Sequence, residues 1–347
     1  MADEARHTEV QDMEVDKRRE SDESADDEIK EKRDVRDGGE QNAQANSGDL
    51  ETPVDIETIN LDPEAEEVDL NHLRIGKIQG FEVLKKVKTL CLRQNLIKLI
   101  ENLEQLDTLT ELDLYDNQIR KIHNLENLSR LEILDLSFNL LRHIEGLETL
   151  TQLRRLYLVN NKISRMENLS SLTQLRLLEL GSNRLRAIEN LDCLRELDSL
   201  FLGKNKIAKL ENMETLTNLT VLSVQSNRLT KIEGLQSLVN LRELYLSDNG
   251  IQVLEGLENN NKLTTLDVAS NRIKRIENIR HLTELQEFWM NDNLVENWAD
   301  LEELSGAQGL QTVYLERNPL QKDAQYRRKI MLALPSVRQI DATFVRF

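Results

Sequence analysis

The stretch Leu131-Glu-Ile-Leu-Asp-Leu-Ser-Phe-Asn-Leu-Leu-Arg-His-Ile-Glu-Gly-Leu-Glu-Thr-Leu150 contains one complete copy of a pattern that recurs along most of the chain. The pattern is L-x-x-L-x-L-x-x-N-x-[LI]-x-x-[IL]-E-[NG]-L-x-x-L, with asparagine at one place in each copy. These asparagines, here called the asparagine ladder, are Asn95, Asn117, Asn139, Asn161, Asn183, Asn205, Asn227, Asn249, Asn271 and Asn293 at a spacing of 22 residues, followed after 25 residues by Asn318.

A fixed period with this signature is that of the leucine-rich repeat, in which each unit packs only on its neighbours. In each unit a leucine, an outward residue and a second leucine alternate, which predicts a short strand. Only about 15 residues remain for the return path, too few for a full helix. We therefore predict an α/β repeat fold, a leucine-rich-repeat solenoid with parallel strands on the concave face and short 3₁₀ or helical turns on the convex face.

Composition and period divide the chain into four parts. We predict a disordered acidic tail over 1–53, an N-terminal cap segment over 54–67, a solenoid of about twelve units over 68–318 and a C-terminal cap over 319–347. In the first unit Leu73 stands where asparagine belongs, and the last unit leads into a predicted helix and a final short strand. Strands are expected near 68–70, 90–92, 112–114, 134–136, 156–158, 178–180, 200–202, 222–224, 244–246, 266–268, 288–290 and 313–315.

The net charge of −17 is concentrated in the tail. Residues 1–67 hold 24 acidic against 8 basic side chains, whereas the other 280 residues hold 38 against 37. A near-neutral repeat body lacks the basic stripe expected of a nucleic-acid-binding surface, so we expect no direct nucleic-acid contact. Ser21 and Ser24 lie in an acidic context that an acidophilic kinase favours, and we name them as possible phosphorylation sites beside the alternative of an unmodified solvated tail.

Two cysteines, Cys91 and Cys193, cannot form the disulfide clusters that cap extracellular leucine-rich arrays. No leader-like apolar segment and no run near 18 apolar residues occurs, which predicts a protein that does not enter a membrane. Motifs for phosphate-binding loops, dinucleotide binding, nucleophile elbows and zinc sites are absent from the sequence. We therefore predict no enzymatic activity, no metal and no cofactor.

The asparagine ladder is predicted to be structural. The chain leaves the strand there, and a carboxamide can both donate to and accept from the backbone of its own loop and of the next coil. The predicted functional residues are instead the outward residues that lie four positions before each ladder asparagine. Together these residues are called the strand row. Its members are Cys91, Asp113, Asp135, Tyr157, Glu179, Phe201, Ser223, Tyr245, Asp267, Trp289 and Tyr314.

Five members of the strand row are aromatic and four are carboxylates, and both neighbours of each are core leucine-type positions. Such a residue is expected to point into solvent on the concave face. Large apolar side chains exposed beside acids indicate a protein–protein interface. The alternative is that the aromatic residues only pack along the inner sheet. A partner with basic and apolar features would fit the row.

The repeat, the segment 68–95 and the ending Tyr314-Leu-Glu-Arg-Asn-Pro-Leu-Gln through Phe347 closely resemble the leucine-rich-repeat regulatory subunits of protein phosphatase 1, the regulatory subunit 7 family. The strings Leu114-Tyr-Asp-Asn and Glu287-Phe-Trp-Met-Asn-Asp-Asn agree as well. The resemblance runs from about Val54 to the C-terminus, whereas the acidic tail is similar only in character.

This resemblance implies a non-catalytic regulatory subunit, found in nucleus and cytoplasm, that binds the catalytic subunit of a Ser/Thr phosphatase through its concave face. It also implies a second inhibitor protein in a ternary complex and control of enzyme maturation, storage and mitotic activity. Tyr157 departs from the family conservatively, since the family can have Phe there. The partner-binding residues that the resemblance implies are Asp135, Tyr157, Glu179, Phe201, Asp267, Glu287, Trp289 and Tyr314.

Two other hypotheses stay open from the sequence. Leucine-rich spliceosomal proteins share the Asn-Pro, Tyr-Arg and Leu-Pro elements of the ending, so the chain is alternatively a ribonucleoprotein scaffold that holds an RNA-binding protein. An enzyme with an unrecognised site is the third hypothesis. The direction of regulation, activation or inhibition, does not follow from the residues.

Overall fold

The twelve predicted strands are all present in a computed structural model, which describes residues 61–345. The chain divides into two units, Met1–Glu51 and Thr52–Phe347, and the described residues all lie in the second. The predicted tail over 1–53 and the first half of the predicted N-terminal cap segment, 54–60, lie outside the described residues. The strands are β1 (Glu67–Asp69), β2 (Thr89–Cys91), β3 (Glu111–Asp113), β4 (Ile133–Asp135), β5 (Arg155–Tyr157), β6 (Leu177–Glu179), β7 (Ser199–Phe201), β8 (Val221–Ser223), β9 (Glu243–Tyr245), β10 (Thr265–Asp267), β11 (Glu287–Trp289), β12 (Thr312–Tyr314), β13 (Gln339–Ile340) and β14 (Thr343–Phe344).

These strands form one sheet in chain order, parallel from β1 to β13, which confirms the predicted solenoid. Each of the first twelve begins and ends one residue earlier than predicted. Each strand ends before the second leucine because the carbonyl of that residue accepts from asparagine side chains. At Leu92 the carbonyl accepts from Asn95 Nδ2 and Asn117 Nδ2, both at 2.9 Å, while the Leu92 N–H still donates to Asp113 O at 2.8 Å.

Beyond β12 the repeat gives way to a short terminal assembly. A 3₁₀ helix (Pro319–Lys322) and helix α1 (Tyr326–Ala333) precede β13, as the sequence predicts. Strand β14 is an addition that the sequence did not predict, and it pairs antiparallel with β13. Asp341 caps the end of the last repeat as an acceptor only: its Oδ1 accepts from Leu315 N–H at 2.9 Å and from Glu316 N–H at 3.0 Å.

The core is a single continuous row of leucine-type side chains from Val68 to Ile340, nearly all of them without exposed surface. Most convex return segments are successive turns, such as Leu106 N–H to Leu103 O and Leu109 N–H to Leu106 O, both at 3.0 Å. Regular 3₁₀ helices occur on this face at Phe81–Val83 and Trp298–Leu304. Within the described part of the chain no helix has the length and apolar character that crossing a membrane requires.

The asparagine ladder is the hydrogen-bonded seam between coils. Asn183 Nδ2 donates to the carbonyls of Leu158 at 2.8 Å and Leu180 at 3.1 Å, while its Oδ1 accepts from Ile163 N–H at 3.0 Å. The prediction of a structural role is confirmed. The sequence predicted hydrogen bonds to the asparagine's own loop and to the next coil. The structure corrects the second part, because the bonds outside its own loop go to the preceding coil.

A second set of asparagines, here called the loop asparagines, lies in the Glu-[Asn/Gly]-Leu step of each unit. Asn190 has a left-handed backbone (φ 59°) and donates to Met166 O at 2.6 Å. Where glycine replaces asparagine, as at Gly234 (φ +70°), an added Cβ would lie 2.3 Å from Leu210 O. The [Asn/Gly] choice is therefore dictated by backbone conformation, because these residue types tolerate the left-handed region.

Asn260 occupies a position where other units have leucine. It has no exposed surface, and its Nδ2 donates to the carbonyls of Leu235 at 3.1 Å and Leu238 at 2.9 Å. The convex turns thus satisfy the amide nitrogen, whereas the buried Asn260 Oδ1 has no hydrogen-bond partner among the described residues.

Candidate functional site

The strand row lies in register across β2 to β12. Asp135 pairs with Tyr157, Tyr157 with Glu179, and Glu179 with Phe201 on successive strands. Asp267, Trp289 and Tyr314 follow the same register on β10 to β12. Adjacent members are thus one strand spacing apart, about 4.8 Å.

The row is less exposed than the sequence predicted. Most of its side chains are half-buried, and three of them are buried, with only 3% of Asp267 exposed. The expectation that every member points into open solvent is wrong for Asp113, Ser223 and Asp267. Ser223 and Asp267 each lie between two aromatic members of the row, which cover them at the narrow strand spacing. Asp113 is instead covered by Arg93, whose Nε lies 2.7 Å from its carboxylate.

The eight predicted partner-binding residues fall into two groups along the row. The N-terminal group comprises Asp135, Tyr157, Glu179 and Phe201 on the consecutive strands β4 to β7. The C-terminal group comprises Asp267, Glu287, Trp289 and Tyr314 on β10 to β12, with Glu287 two residues before Trp289 on the same strand. Strands β8 and β9 separate the two groups and bear Ser223 and Tyr245.

The C-terminal group is held by contacts within the protein. The rings of Trp289 and Tyr314 lie 5.1 Å apart between centroids, and Gln339 Nε2 donates to the Tyr314 hydroxyl at 2.9 Å. Asp267 Oδ1 accepts from Ala269 N–H at 3.0 Å, and its Oδ2 accepts from the Ser247 hydroxyl at 2.8 Å. Burial nevertheless raises the pKa of the Asp267 carboxyl, against the opposing effect of these hydrogen bonds.

In the N-terminal group, Asp135 is held by a residue outside the predicted site. Its Oδ1 accepts from Ser137 N–H at 2.8 Å, and its Oδ2 lies 3.5 Å from Arg93 Nη2. Arg93 Nε also contacts Asp113 at 2.7 Å, and its guanidinium lies 4.7 Å from the ring centre of Tyr115. Arg93 was not among the predicted residues, because it lies two positions before a ladder asparagine whereas the members of the strand row lie four positions before one.

Glu179 is the exception among the carboxylates of the strand row. Among the described residues it has neither an ion-pair partner nor a hydrogen-bond donor, although it is half-buried. Burial, and secondarily the negative charge of Asp135, raises the pKa of the Glu179 carboxyl. A desolvated carboxylate without a counter-ion is costly and is relieved by an external cation.

A depression of about 420 Å³, here called the hollow, opens beside Glu179 and Phe201. It reaches from β6 towards β9 and so occupies the interval between the two groups. Its lining is mainly small or polar: Val159, Glu179, Gly181, Ser182, Phe201, Gly203, Lys204, Ser223, Gln225, Ser226, Ser247 and Asp248.

The described residues were compared with the donor sets that metal ions require. Within residues 61–345 there is no group of three or more His, Cys, Asp or Glu side chains that could hold a metal ion. Burial raises the pKa of the Cys91 thiol to about 11, which disfavours the reactive thiolate. The possible phosphorylation sites Ser21 and Ser24 lie outside the described residues.

Three family models match the chain. Their descriptions are "Leucine-rich repeat" for residues 237–347, "Leucine Rich repeats (2 copies)" for residues 151–193 and "Leucine rich repeat" for residues 109–163. Among solved structures, an internalin from Listeria monocytogenes has a TM-score of 0.68 at 26% identity, over 81% of this chain and 87% of its own. The solenoid architecture is thus shared with known leucine-rich-repeat structures.

Two full-length relatives are far more similar. Protein phosphatase 1 regulatory subunit 7 of Xenopus tropicalis is 89% identical over 347 residues, covering 100% of both chains. The Homo sapiens protein of the same name is 82% identical over 345 residues, covering 96% of both chains. Both matches extend over the repeat array and beyond it.

Proposed function

Because the chain belongs to the protein phosphatase 1 regulatory subunit 7 family of leucine-rich-repeat proteins, we propose that it is a non-catalytic regulatory subunit of that phosphatase. In this proposal the N-terminal and C-terminal groups of the strand row bind the catalytic subunit together. The eight partner-binding residues named above are the proposed contacts.

The observation that carries the proposal is the composition of the strand row. Five aromatic side chains and four carboxylates stand in one line on eleven successive strands. Aromatic side chains dominate the binding energy of protein interfaces, and carboxylates beside them favour a partner with basic groups. Lysine and arginine are missing from the row, which opposes direct contact with RNA.

The wider role belongs to the same proposal. We place the protein in nucleus and cytoplasm, with control of phosphatase maturation, storage and mitotic use as its task. A second inhibitor protein would join in a ternary complex. The resemblance to the family motivates these features, and co-purification from nuclear and cytoplasmic fractions at interphase and mitosis tests them.

The decisive experiment is Phe201→Ala in the full-length chain, with the affinity for purified phosphatase catalytic subunit measured by calorimetry. Loss of a central aromatic anchor is expected to weaken binding at least about 30-fold while the melting temperature stays nearly unchanged. Phe138→Ala is the matched control, because Phe138 is a 39% exposed phenylalanine outside the strand row. Equal affinity of the Phe201 variant and the wild type would refute the proposed site.

Capture from cell extract with mass spectrometry separates this function from the ribonucleoprotein alternative. The proposal expects the phosphatase catalytic subunit in the wild-type capture and its loss with Phe201→Ala. An RNA-binding protein that takes its place, with the same dependence on Phe201, would instead support the scaffold hypothesis.

A further inference from the structure

The flank of the solenoid on which the chain leaves the strands carries a local excess of positive charge. Four consecutive units place there the segments 160–164, 182–186, 204–208 and 226–230, here called the basic flank. The four segments contain no acidic residue, and their basic residues are Lys162, Arg184, Arg186, Lys204, Lys206 and Arg228. The near-neutral total charge of the repeat array therefore conceals one basic surface.

Four of these basic residues form a row, because they occupy one repeat position directly after a ladder asparagine. Arg184 lies between the buried Asn183 and Leu185, so its side chain points outward. Its N–H donates to Ile163 O at 2.8 Å, and the same bond to the preceding coil recurs in the other three units. The row therefore leaves adjacent coils at equivalent points, about 4.8 Å apart, and consists of Lys162, Arg184, Lys206 and Arg228.

The fold does not require a basic residue at this position. Other units have uncharged residues there, namely Leu96, Gln118, Leu140 and Gly250. Like charges that stand opposite each other on neighbouring strands are destabilising. The glutamate-bearing edge of the same units is different, because bases there face acids, as Arg165 faces Glu189 at 3.0 Å. Four bases in succession serve no packing purpose, which indicates a role in binding.

The residues beside the row favour a carboxylate-rich polypeptide over a nucleic acid. Aromatic side chains, on which unpaired bases stack, are missing from the four segments. The row spans three coil steps of about 4.8 Å, and four or five residues of an extended polypeptide cover that length. The glutamates Glu167, Glu189 and Glu211 follow five residues later in their coils and keep the positive strip narrow. A strip of this length and width fits one short acidic segment.

We propose that the basic flank binds an acidic segment, rich in Asp and Glu, of a protein partner. Each base of the row pairs with one carboxylate of that segment. The four bases already take part in interactions within the chain, so binding exchanges contacts and its affinity is moderate and dependent on salt. This inference goes beyond the proposed function, because the row stands five positions after the strand row and needs no phosphatase.

The test uses a fluorescent peptide of alternating Asp and Glu, about twelve residues long, and the full-length chain. Anisotropy at about 50 and 200 mM salt measures the affinity. Arg184→Glu/Arg228→Glu is expected to weaken binding at least about tenfold and to reduce its salt dependence, because two attractive contacts become repulsive. The melting temperature should not fall, since two like-charge contacts in the row are removed as well.

Arg272→Glu/Lys274→Glu is the matched control. It changes the net charge by the same amount, at exposed residues of a coil outside the basic flank, and should weaken binding less than about twofold. Phe201→Ala should bind the peptide as the wild type does, because Phe201 belongs to the strand row. Its failure to bind the peptide would place the peptide on the strand row and overturn the inference.

Three further outcomes would also overturn it. The first is a wild-type chain that does not bind the peptide at the lower salt concentration. The second is an equal loss of affinity in the two double variants, which would mean a general charge effect. The third is tighter binding of an oligouridine of the same length, lost in Arg184→Glu/Arg228→Glu, which would make the basic flank a nucleic-acid site. None of these results depends on the phosphatase, so the proposed function is tested separately.

Discussion

The two groups of the strand row contain the same kinds of side chain but hold them differently. In the C-terminal group, Asp267 accepts two hydrogen bonds from within the protein, and Trp289 packs on Tyr314. In the N-terminal group, Glu179 has no partner among the described residues and borders an open hollow with Phe201. The contrast therefore lies between two carboxylates: Asp267 is already hydrogen-bonded within the protein, whereas Glu179 is left for a binding partner to neutralise.

This difference has an energetic meaning. Side chains that are fixed before binding lose little conformational entropy when a partner arrives, so the C-terminal group is suited to provide affinity. An unpaired, half-buried carboxylate favours a partner that brings a cation and disfavours one that does not. The N-terminal group is therefore suited to discriminate between partners.

The largest expected effect is a loss of stability on substitution in the asparagine ladder, which supports both groups of the strand row. Asn183→Leu removes the acceptor of the Ile163 N–H and the donor to the carbonyls of Leu158 and Leu180. The Ile163 N–H is left without a partner, which costs about 1–3 kcal/mol. The two carbonyls keep the bonds from Asn161 Nδ2 and Asn205 Nδ2 and lose only their second donor, so the free energy of unfolding should fall by about 3 kcal/mol in all. Urea unfolding followed by circular dichroism measures this loss.

Asn190→Gly is the control for that variant. It removes a single bond to Met166 O at a left-handed position where other units already have glycine. A loss of only about 1 kcal/mol is expected. If both variants lost the same stability, the ladder would not be the main seam between the coils.

The next effect concerns the aromatic anchors, and it compares the groups directly. Trp289→Ala and Phe201→Ala should each weaken binding of the catalytic subunit by about 2 kcal/mol or more, as for anchors near the centre of an interface. Only Trp289→Ala should also lower the melting temperature, because its ring is packed on Tyr314. Calorimetry and thermal unfolding of the same preparations measure both quantities. Equal stability losses would remove the distinction between the groups.

Much of this arrangement could be predicted from the sequence because it is periodic. The repeat of Leu, Leu and Asn determines strand positions to within one residue, and counting back from Asn293 identifies Trp289 as a member of the row. The pairing of Arg93 with Asp113 and Asp135 could not be read in this way, because it depends on side-chain reach across 20 and 42 residues.

Other features could not be predicted from the sequence for a different reason. Gly203 is identified as part of the hollow only in the folded chain, where it lines that depression together with Phe201. The burial of Asp267 results from its neighbours in the row, which a residue type alone does not show. Strand β14 lies after the last repeat, where no period guides the prediction.

A smaller loss of stability is expected when the hydrogen-bonded carboxylate Asp267 is replaced. Asp267→Ala leaves the buried N–H of Ala269 without its acceptor and the Ser247 hydroxyl without its partner. The free energy of unfolding should fall by about 1–2 kcal/mol, the cost of an unsatisfied buried donor. Urea unfolding at pH 7 tests this value, with Ser247→Ala as the control that removes the hydroxyl contact alone. An unchanged midpoint would mean that Asp267 is not part of the support of the C-terminal group.

The smallest effect is expected at Glu179, where a substitution should raise the stability of the protein instead of lowering it. Burial raises the pKa of its carboxyl above the ordinary 4.5, so the folded chain binds this proton more tightly than the unfolded chain does. Ionisation of Glu179 therefore costs stability as pH rises from 4.5 through the folded-state pKa, and the full cost remains at neutral pH. Glu179→Gln removes this cost.

The Glu179→Gln variant should consequently be slightly more stable than the wild type at pH 7, within about 0.5 kcal/mol, and equal to it at pH 4. Urea unfolding at the two pH values measures the difference, with Glu132→Gln as the control because Glu132 is exposed and lies outside the strand row. A variant that is more stable alone but binds the catalytic subunit more weakly would identify Glu179 as a residue whose charge serves the partner at the expense of the free chain. Lower stability at pH 7 would mean that Glu179 is supported inside the protein after all, and the contrast between the two groups would then disappear.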